Sequence, residues 1–318
     1  MPGVALPAWV RRNHPIVRNE TGHWARSRGW RLARNLIWAG SSLTFSLAPA
    51  GAALLFGWQS HVAGLPQAIL AAGGVFTLGL VLISTLVNWA TNLSANILGA
   101  TLIARERQSQ TWPFLRLTSL SSIDIAGGKL MALLYTLARP LQLVAALRLL
   151  AVAAGLVTLA LAYAASGLTI RQVIRLIGVI GPLPIQLAEP TSQTWLVVVL
   201  SGAGLLVALV NWLAEPFFGA LYNGVVGLTV STLARSPASA IVMVFAAHFG
   251  LALGLYAPAG QVSSLILEAL VGYASGPLSG AAVVAVAFSQ VALQTLLPWV
   301  VLVVCATITL RRVETLSD

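Results

Sequence analysis

The chain has 318 residues, of which 58% are hydrophobic and only 8% carry a charge. A soluble domain carries roughly 25% charged residues, so this composition excludes a water-covered globular surface and admits a bilayer, where lipid-facing side chains are apolar. The net charge of +10 does not point to nucleic acid, because the basic residues flank the apolar tracts, where they set orientation and meet anionic headgroups.

Residues 1–35 form a basic segment with Arg11, Arg12, Arg18, Arg26, Arg28, Arg31 and Arg34, and with Pro2, Pro7 and Pro15, which predict an irregular start. The first apolar tract, about 36–57, exceeds the roughly 7–15 residues of a cleavable signal core. It is expected to remain as a first span, so no signal peptide is anticipated. A second tract runs from about Gln67 to Leu98, with a polar stretch at Asn88, Thr91, Asn92, Ser94 and Asn96. The charged break Arg105-Glu106-Arg107 follows, and the interior stays polar down to Lys129.

Apolar sequence resumes at Leu130 and lasts to Ala165, too long for one crossing of a hydrocarbon core about 30 Å thick. The helix is expected to begin in the cytoplasm and enter the membrane near Pro140. Arg139 then lies at the headgroups, and Arg148 either snorkels towards them or is covered by neighbouring helices. Residues 166–194, with Arg171, Arg175 and three prolines, read as an external connection. Further tracts cover about 195–232, 238–257 and 280–310. The first of these contains Glu215-Pro216 and either kinks there or includes a re-entrant piece. Gly250-x-x-x-Gly254 in the second is a pattern that allows close helix approach. Residues 311–318 form a tail.

Six tracts predict six spans. With both termini in the cytoplasm, fourteen basic residues lie inside against Arg171 and Arg175 outside, and the inverted arrangement reverses that ratio. The predicted fold is therefore an all-α, polytopic helical bundle, N-in and C-in, with a single transmembrane domain over 36–310.

The segment 104–129 is the most informative. It reads as a charged extension of the second span that breaks at Pro113 and restarts after Thr118-Ser119. Ser121-x-x-Asp124 has the spacing of a capping box. The restarted helix is short and amphipathic, with Leu120, Ile123 and Ile125 on its apolar side, and Gly127-Gly128 permits a turn into the third span. Arg105, Glu106, Arg107, Thr111, Leu115, Leu117, Thr118, Leu120, Ser121, Ile125, Gly128 and Lys129 stand in one ungapped register. In that register the segment resembles the signature of the ABC-2 family of ABC-transporter permeases. It departs at Gln110, where the family favours Gly, at Pro113, where an acidic residue is usual, and at Ser119, where Pro is usual. Gly227, Ser231, Arg235 and Ser236 are similar to the end of that family's fourth span.

The resemblance implies a permease subunit, of an exporter, that pairs with a second permease copy and with cytoplasmic ATPase subunits in a prokaryotic inner membrane. It implies that a short cytoplasmic coupling helix between spans 2 and 3 contacts the ATPase through Arg105, Glu106, Arg107, Thr111, Thr118, Ser119, Leu120, Ser121 and Lys129. ATP and magnesium would belong to the partner, and no cofactor to this chain. Consistently, the chain lacks a G-x-x-x-x-G-K-[ST] phosphate loop, H-E-x-x-H and G-x-S-x-G, so it presents no candidate catalytic or metal site of its own. Cys305 is its one cysteine. His248 and Glu215, ionisable groups within predicted spans, are the candidates for a transport pathway or for hydrogen-bonded packing. A secondary transporter or channel with no ATPase is the alternative, disfavoured by the absence of internal repeats.

Overall fold

The computed structural model describes residues 7, 10–26, 35, 49, 51–54, 57, 65–118, 120–166, 192–256, 261 and 279–315. These residues are helical or in short turns, with no strand among them. In chain order the helices are α1 (Pro15–Arg26), α2 (Leu65–Gln108), α3 (Trp112–Arg116), α4 (Ser122–Ser166), α5 (Ser192–Leu233), α6 (Pro237–Leu251) and α7 (Ser279–Thr315). A π-helical turn, Ala252–Tyr256, continues α6. The second to sixth apolar tracts thus each become one helix, and the first lies almost wholly outside the described residues, as does most of the 166–194 connection.

Five helices, α2, α4, α5, α6 and α7, are long and apolar enough to cross a bilayer. Their outer faces make the same point. Leu78, Leu82, Leu86 and Trp89 lie exposed along one side of α2, Leu149, Leu156 and Leu159 along α4, and Val242, Phe245 and Phe249 along α6. Continuous apolar stripes of that size need lipid or protein against them. At 1.5 Å per residue the 44 residues of α2 extend about 66 Å. That is about twice the hydrocarbon thickness, so a large part of the helix projects beyond it, and Arg105 to Arg107 occupy its last turn.

Contacts divide the chain into two compact units, Met1–Ala33 with Trp89–Leu141 and Val210–Asp318, and Arg34–Asn88 with Gln142–Leu209. In the second unit Gly73 of α2 abuts Thr158 of α4, and Gly155 of α4 lies against Thr77 of α2, an antiparallel register. Arg148 is buried there, so of the two sequence alternatives it is coverage by neighbours, rather than snorkelling, that this side chain adopts.

The first unit holds two hydrophobic cores. A core of Leu98, Leu102, Ile103, Trp112, Ile125, Leu133, Leu228 and Val313 draws α2, α3, α4, α5 and α7 together, with Ile16 of α1. A second core joins Ala100 and Ala104 of α2 to Val226 and Val230 of α5, Ala240 and Val244 of α6 and Val301 of α7. Helices α2 and α5 run parallel and touch backbone to backbone. A Cβ on Gly99 would sit 2.8 Å from the Gly224 carbonyl oxygen, and one on Gly227 would sit 2.8 Å from that of Asn96. Further along, the Ser231 hydroxyl accepts from the Ile103 and Ala104 amides at 2.8 and 2.9 Å. Helix α7 is also parallel to α5, with Phe218 packed edge-to-face on Trp299 at 5.3 Å and Thr229 bonded to Thr309 at 2.8 Å.

Several expectations change. Pro113 does not break a helix. It stands in the first turn of α3, where its missing N–H costs no intrahelical bond. Gly127-Gly128 makes no turn, because α4 runs unbroken from Ser122 through both residues and through Pro140. The restarted helix is therefore the first part of a 45-residue one rather than a short separate piece. Helix α5 likewise continues through Glu215-Pro216 with no re-entrant break. Gly250 and Gly254 have no described atom within 4 Å of a built Cβ, so the close approach that the pattern allows occurs instead at Gly99 and Gly227.

Candidate functional site

The candidate site is the corner between α2 and α4. It starts where α2 ends. Ser109 and Thr111 amides bond back to the Arg105 and Glu106 carbonyls, closing the helix, and Gln110 takes a left-handed backbone conformation with φ of 56°. Glycine adopts that region without penalty, whereas a residue with a Cβ is strained there by roughly 1 kcal/mol. The short helix α3 then places Trp112 in the core and turns Phe114 outward. The Thr118 hydroxyl donates to the Leu115 carbonyl at 2.6 Å. Helix α4 opens on the anticipated capping box. The Ser121 hydroxyl accepts from the Asp124 amide at 3.1 Å, and the Asp124 carboxylate accepts from the Ser121 amide at 3.2 Å.

Four charges lock the corner. The Lys129 ammonium donates to Glu20 at 2.7 Å, to Glu106 at 3.1 Å and to the Leu102 carbonyl at 3.4 Å. Arg105 donates to the other Glu20 oxygen at 2.8 Å. Glu106 also accepts from the Thr111 hydroxyl. Lys129 is 1% exposed and Glu20 2%, so these charges are held out of water. Such groups are tolerated only with well-placed partners; two cations and two carboxylates make the cluster neutral. Arg107 faces the other way. It donates to the Thr232 and Ala234 carbonyls at 3.2 and 2.9 Å, where a cation satisfies the last acceptors of α5 and complements the negative end of its dipole. Ser236 then caps α6 with a reciprocal bond to Ser239.

The structure therefore divides the sequence candidates. Thr111, Thr118 and Ser121 are exposed, Arg105, Glu106, Arg107 and Leu120 are half-buried, and Lys129 is enclosed. Ser119 lies outside the described residues. Of the apolar side formed by Leu120, Ile123 and Ile125, it is Ile125 that lies in the core. Large apolar side chains are exposed beside those hydroxyls. Phe114 is 70%, Leu117 83% and Ile123 54% exposed, all within ten residues at the polar end of the bundle. A shallow depression lined by Leu120, Ser121, Ser122, Ile123 and Glu314 adjoins them.

Three contributors were not among the candidates. Glu20 supplies a carboxylate from α1, and His14 with Ile16 fills the space left by the missing Cβ of Gly128, 3.3 Å away. The polar run Pro15–Arg26 holds Ile16, Val17 and Glu20 on one buried side. That spacing is the signal available in the sequence.

The intramembrane candidates are apart from this corner. His248 of α6 bonds through Nε2 to the Asn223 side-chain oxygen and through Nδ1 to the Val244 carbonyl, both at 2.9 Å. Glu215 is half-buried on α5, about 12 Å of helical rise from Asn223. Among the described residues no group of three or more His, Cys, Asp or Glu side chains could hold a metal.

Compared with protein-family models, with curated proteins and with solved structures, the chain matches none.

Proposed function

We propose that this chain is the membrane subunit of an ATP-binding-cassette exporter, working with a second permease copy and with separate cytoplasmic ATPase subunits that bind ATP and magnesium. The observation that carries the reading is the rigid corner between α2 and α4. It presents Phe114, Leu117 and Ile123 to the outside at an end of the bundle rich in charge, where lipid is not the natural cover. Exposed aromatic and aliphatic side chains beside a polar rim suit a protein partner.

In this reading the chain crosses a prokaryotic inner membrane six times with both ends in the cytoplasm. Parallel α2, α5 and α7, antiparallel α6, and α1 seated where α2 ends all fit that path. Arg105, Arg107 and Lys129 at that end fit the cytoplasmic side. Closure of an ATPase dimer pushes on the corner. The four-charge cluster joins α1, α2 and α4, and Arg107 joins α2 to the end of α5, so displacement passes to four helices rather than bending a loop. Surface contact then belongs to Thr111, Phe114, Leu117, Thr118, Ser121 and Ile123. Lys129 and Glu106 hold the corner from behind. His248 and Glu215 remain the pathway candidates.

The test co-expresses this chain with an ATP-binding-cassette ATPase subunit from the same genome and co-purifies the two. Phe114→Asp with Leu117→Asp is expected to lower complex recovery and permease-stimulated ATP turnover at least tenfold, the loss of about 1.4 kcal/mol or more, with membrane insertion unchanged. Recovery and turnover equal to the parent would defeat the proposal. So would transport by the chain alone in proteoliposomes under an ion gradient, which is what a secondary transporter or channel predicts.

A further inference from the structure

Arg139 on α4 and two arginines just before α1 are cations that the corner does not use. The Tyr135 hydroxyl donates to the Val10 carbonyl at 2.9 Å, which fixes the segment just before α1 against α4. Arg11 and Arg12 follow Val10 directly, and Arg139 stands one helical turn beyond Tyr135 on the same face. All three arginines are exposed. Among the described residues none of them forms an ion pair with a carboxylate. The acidic residues of the corner are committed elsewhere. Glu20 and Glu106 face Lys129 and Arg105, and Asp124 caps α4.

The exposed face of α4 changes character at this point. Arg139 is followed on that face by Gln142, and then by Ala146, Leu149, Leu150 and Leu156, with no further charge. A soluble polyanion has no use for an apolar stripe that begins one turn from its cations. A phospholipid has both parts, a phosphate for the guanidiniums and acyl chains for the stripe. Arg is suited to the first because its planar fork binds phosphate oxygens in pairs.

We propose that Arg11, Arg12 and Arg139 form a binding site for the headgroup of an anionic phospholipid whose chains lie along the exposed face of α4. The site ties the segment before α1 to the membrane at the level where α4 enters it. It depends on α4 crossing a bilayer and is independent of any ATPase, so its failure and that of the permease reading are distinguishable.

The experiment titrates the purified full chain with phosphatidylglycerol and with phosphatidylcholine of matched chains, and counts bound lipid by native mass spectrometry. The parent is expected to prefer phosphatidylglycerol by roughly tenfold or more, since each arginine near an anionic surface contributes on the order of a fivefold factor. Arg139→Gln is expected to reduce that preference about fivefold, and Arg11→Gln with Arg12→Gln and Arg139→Gln to abolish it. Arg18→Gln removes the same charge from α1 further from Tyr135 and is expected to leave the preference in place. Equal binding of the two lipids by the parent, an undiminished preference in the triple variant, or an equal loss in Arg18→Gln would overturn the site. Displacement of the lipid by millimolar inorganic phosphate would show a site for free anions and would overturn it as well.

Discussion

Replacing Lys129 by Met tests the four-charge cluster directly. The substitution keeps the length and most of the volume of the side chain and removes the ammonium. Glu20, fully enclosed, is then left with Arg105 alone at 2.8 Å, and Glu106 with the Thr111 hydroxyl. Removing one partner of a buried ion pair costs about 3–5 kcal/mol, because the other charge stays out of water without compensation. Arg105 still faces Glu20 and is itself 29% exposed, which places the expected loss at the lower end, about 3 kcal/mol. That corresponds to a shift of roughly 150-fold in the docking equilibrium of α1.

Val17 provides the readout, because it is completely buried beside Ile16 on the packed side of α1. In a Cys305→Ser background, Val17→Cys is expected to resist a membrane-impermeant thiol reagent in the parent and to label about 100-fold faster with Lys129→Met. Combining Glu20→Leu with Lys129→Met removes both buried charges at once and is expected to cost clearly less than the two single changes added together, since the residues act as one unit. Identical labelling of parent and variant, or strictly additive losses, would refute the claim that this cluster holds α1 in place.

Three further outcomes follow from the packing. Gly227→Val puts a side chain against the backbone of α2, which cannot rotate away, and is expected to lower stability by about 1–3 kcal/mol in thermal unfolding. Gly250→Ala, with open space at its Cβ position, is expected to raise it by several tenths of a kcal/mol. Ser231→Ala removes the acceptor shared by the Ile103 and Ala104 amides. It is expected to cost about 1–2 kcal/mol by the same measurement, and an unchanged midpoint would show that those bonds contribute nothing.

Much of this architecture is legible in the sequence because it is set by local composition. Apolar tracts of spanning length became α2, α4, α5, α6 and α7, and the Ser121-Asp124 spacing became a reciprocal cap. These signals lie within a few residues of one another. The readings that changed concern residues whose local preference permits two outcomes. Gly127 and Gly128 allow a turn, yet a helix also accommodates them, and α1 occupies the room that Gly128 leaves. Pro113 stops a helix when it lies inside one and starts a helix when it lies in the first turn. Position in the turn decides, and residue type does not.

Glu20 was hidden for a different reason. Its partners Arg105 and Lys129 are 85 and 109 residues away, and pairing over that distance leaves only the Ile16, Val17 and Glu20 spacing to mark a buried side in a basic segment. Gly99 and Gly227 are hidden likewise, since each is an ordinary small residue until the helices are laid side by side. The surface at Phe114 and Leu117 could be read as residue types, but not as exposed, because the same tract sends Trp112 and Ile125 inward.

The Glu20–Lys129 bond also sets a timetable for biosynthesis. A ribosome adds about 5–20 residues each second, so the 109 positions separating these two take about 5–20 seconds to make. Throughout that interval the carboxylate and the apolar side of α1 have no native seat and must wait in water or against headgroups. Docking of α1 is thus a late event in maturation, and a ribosome stalled before Lys129 would hold a chain whose first helix is already complete but not yet stowed.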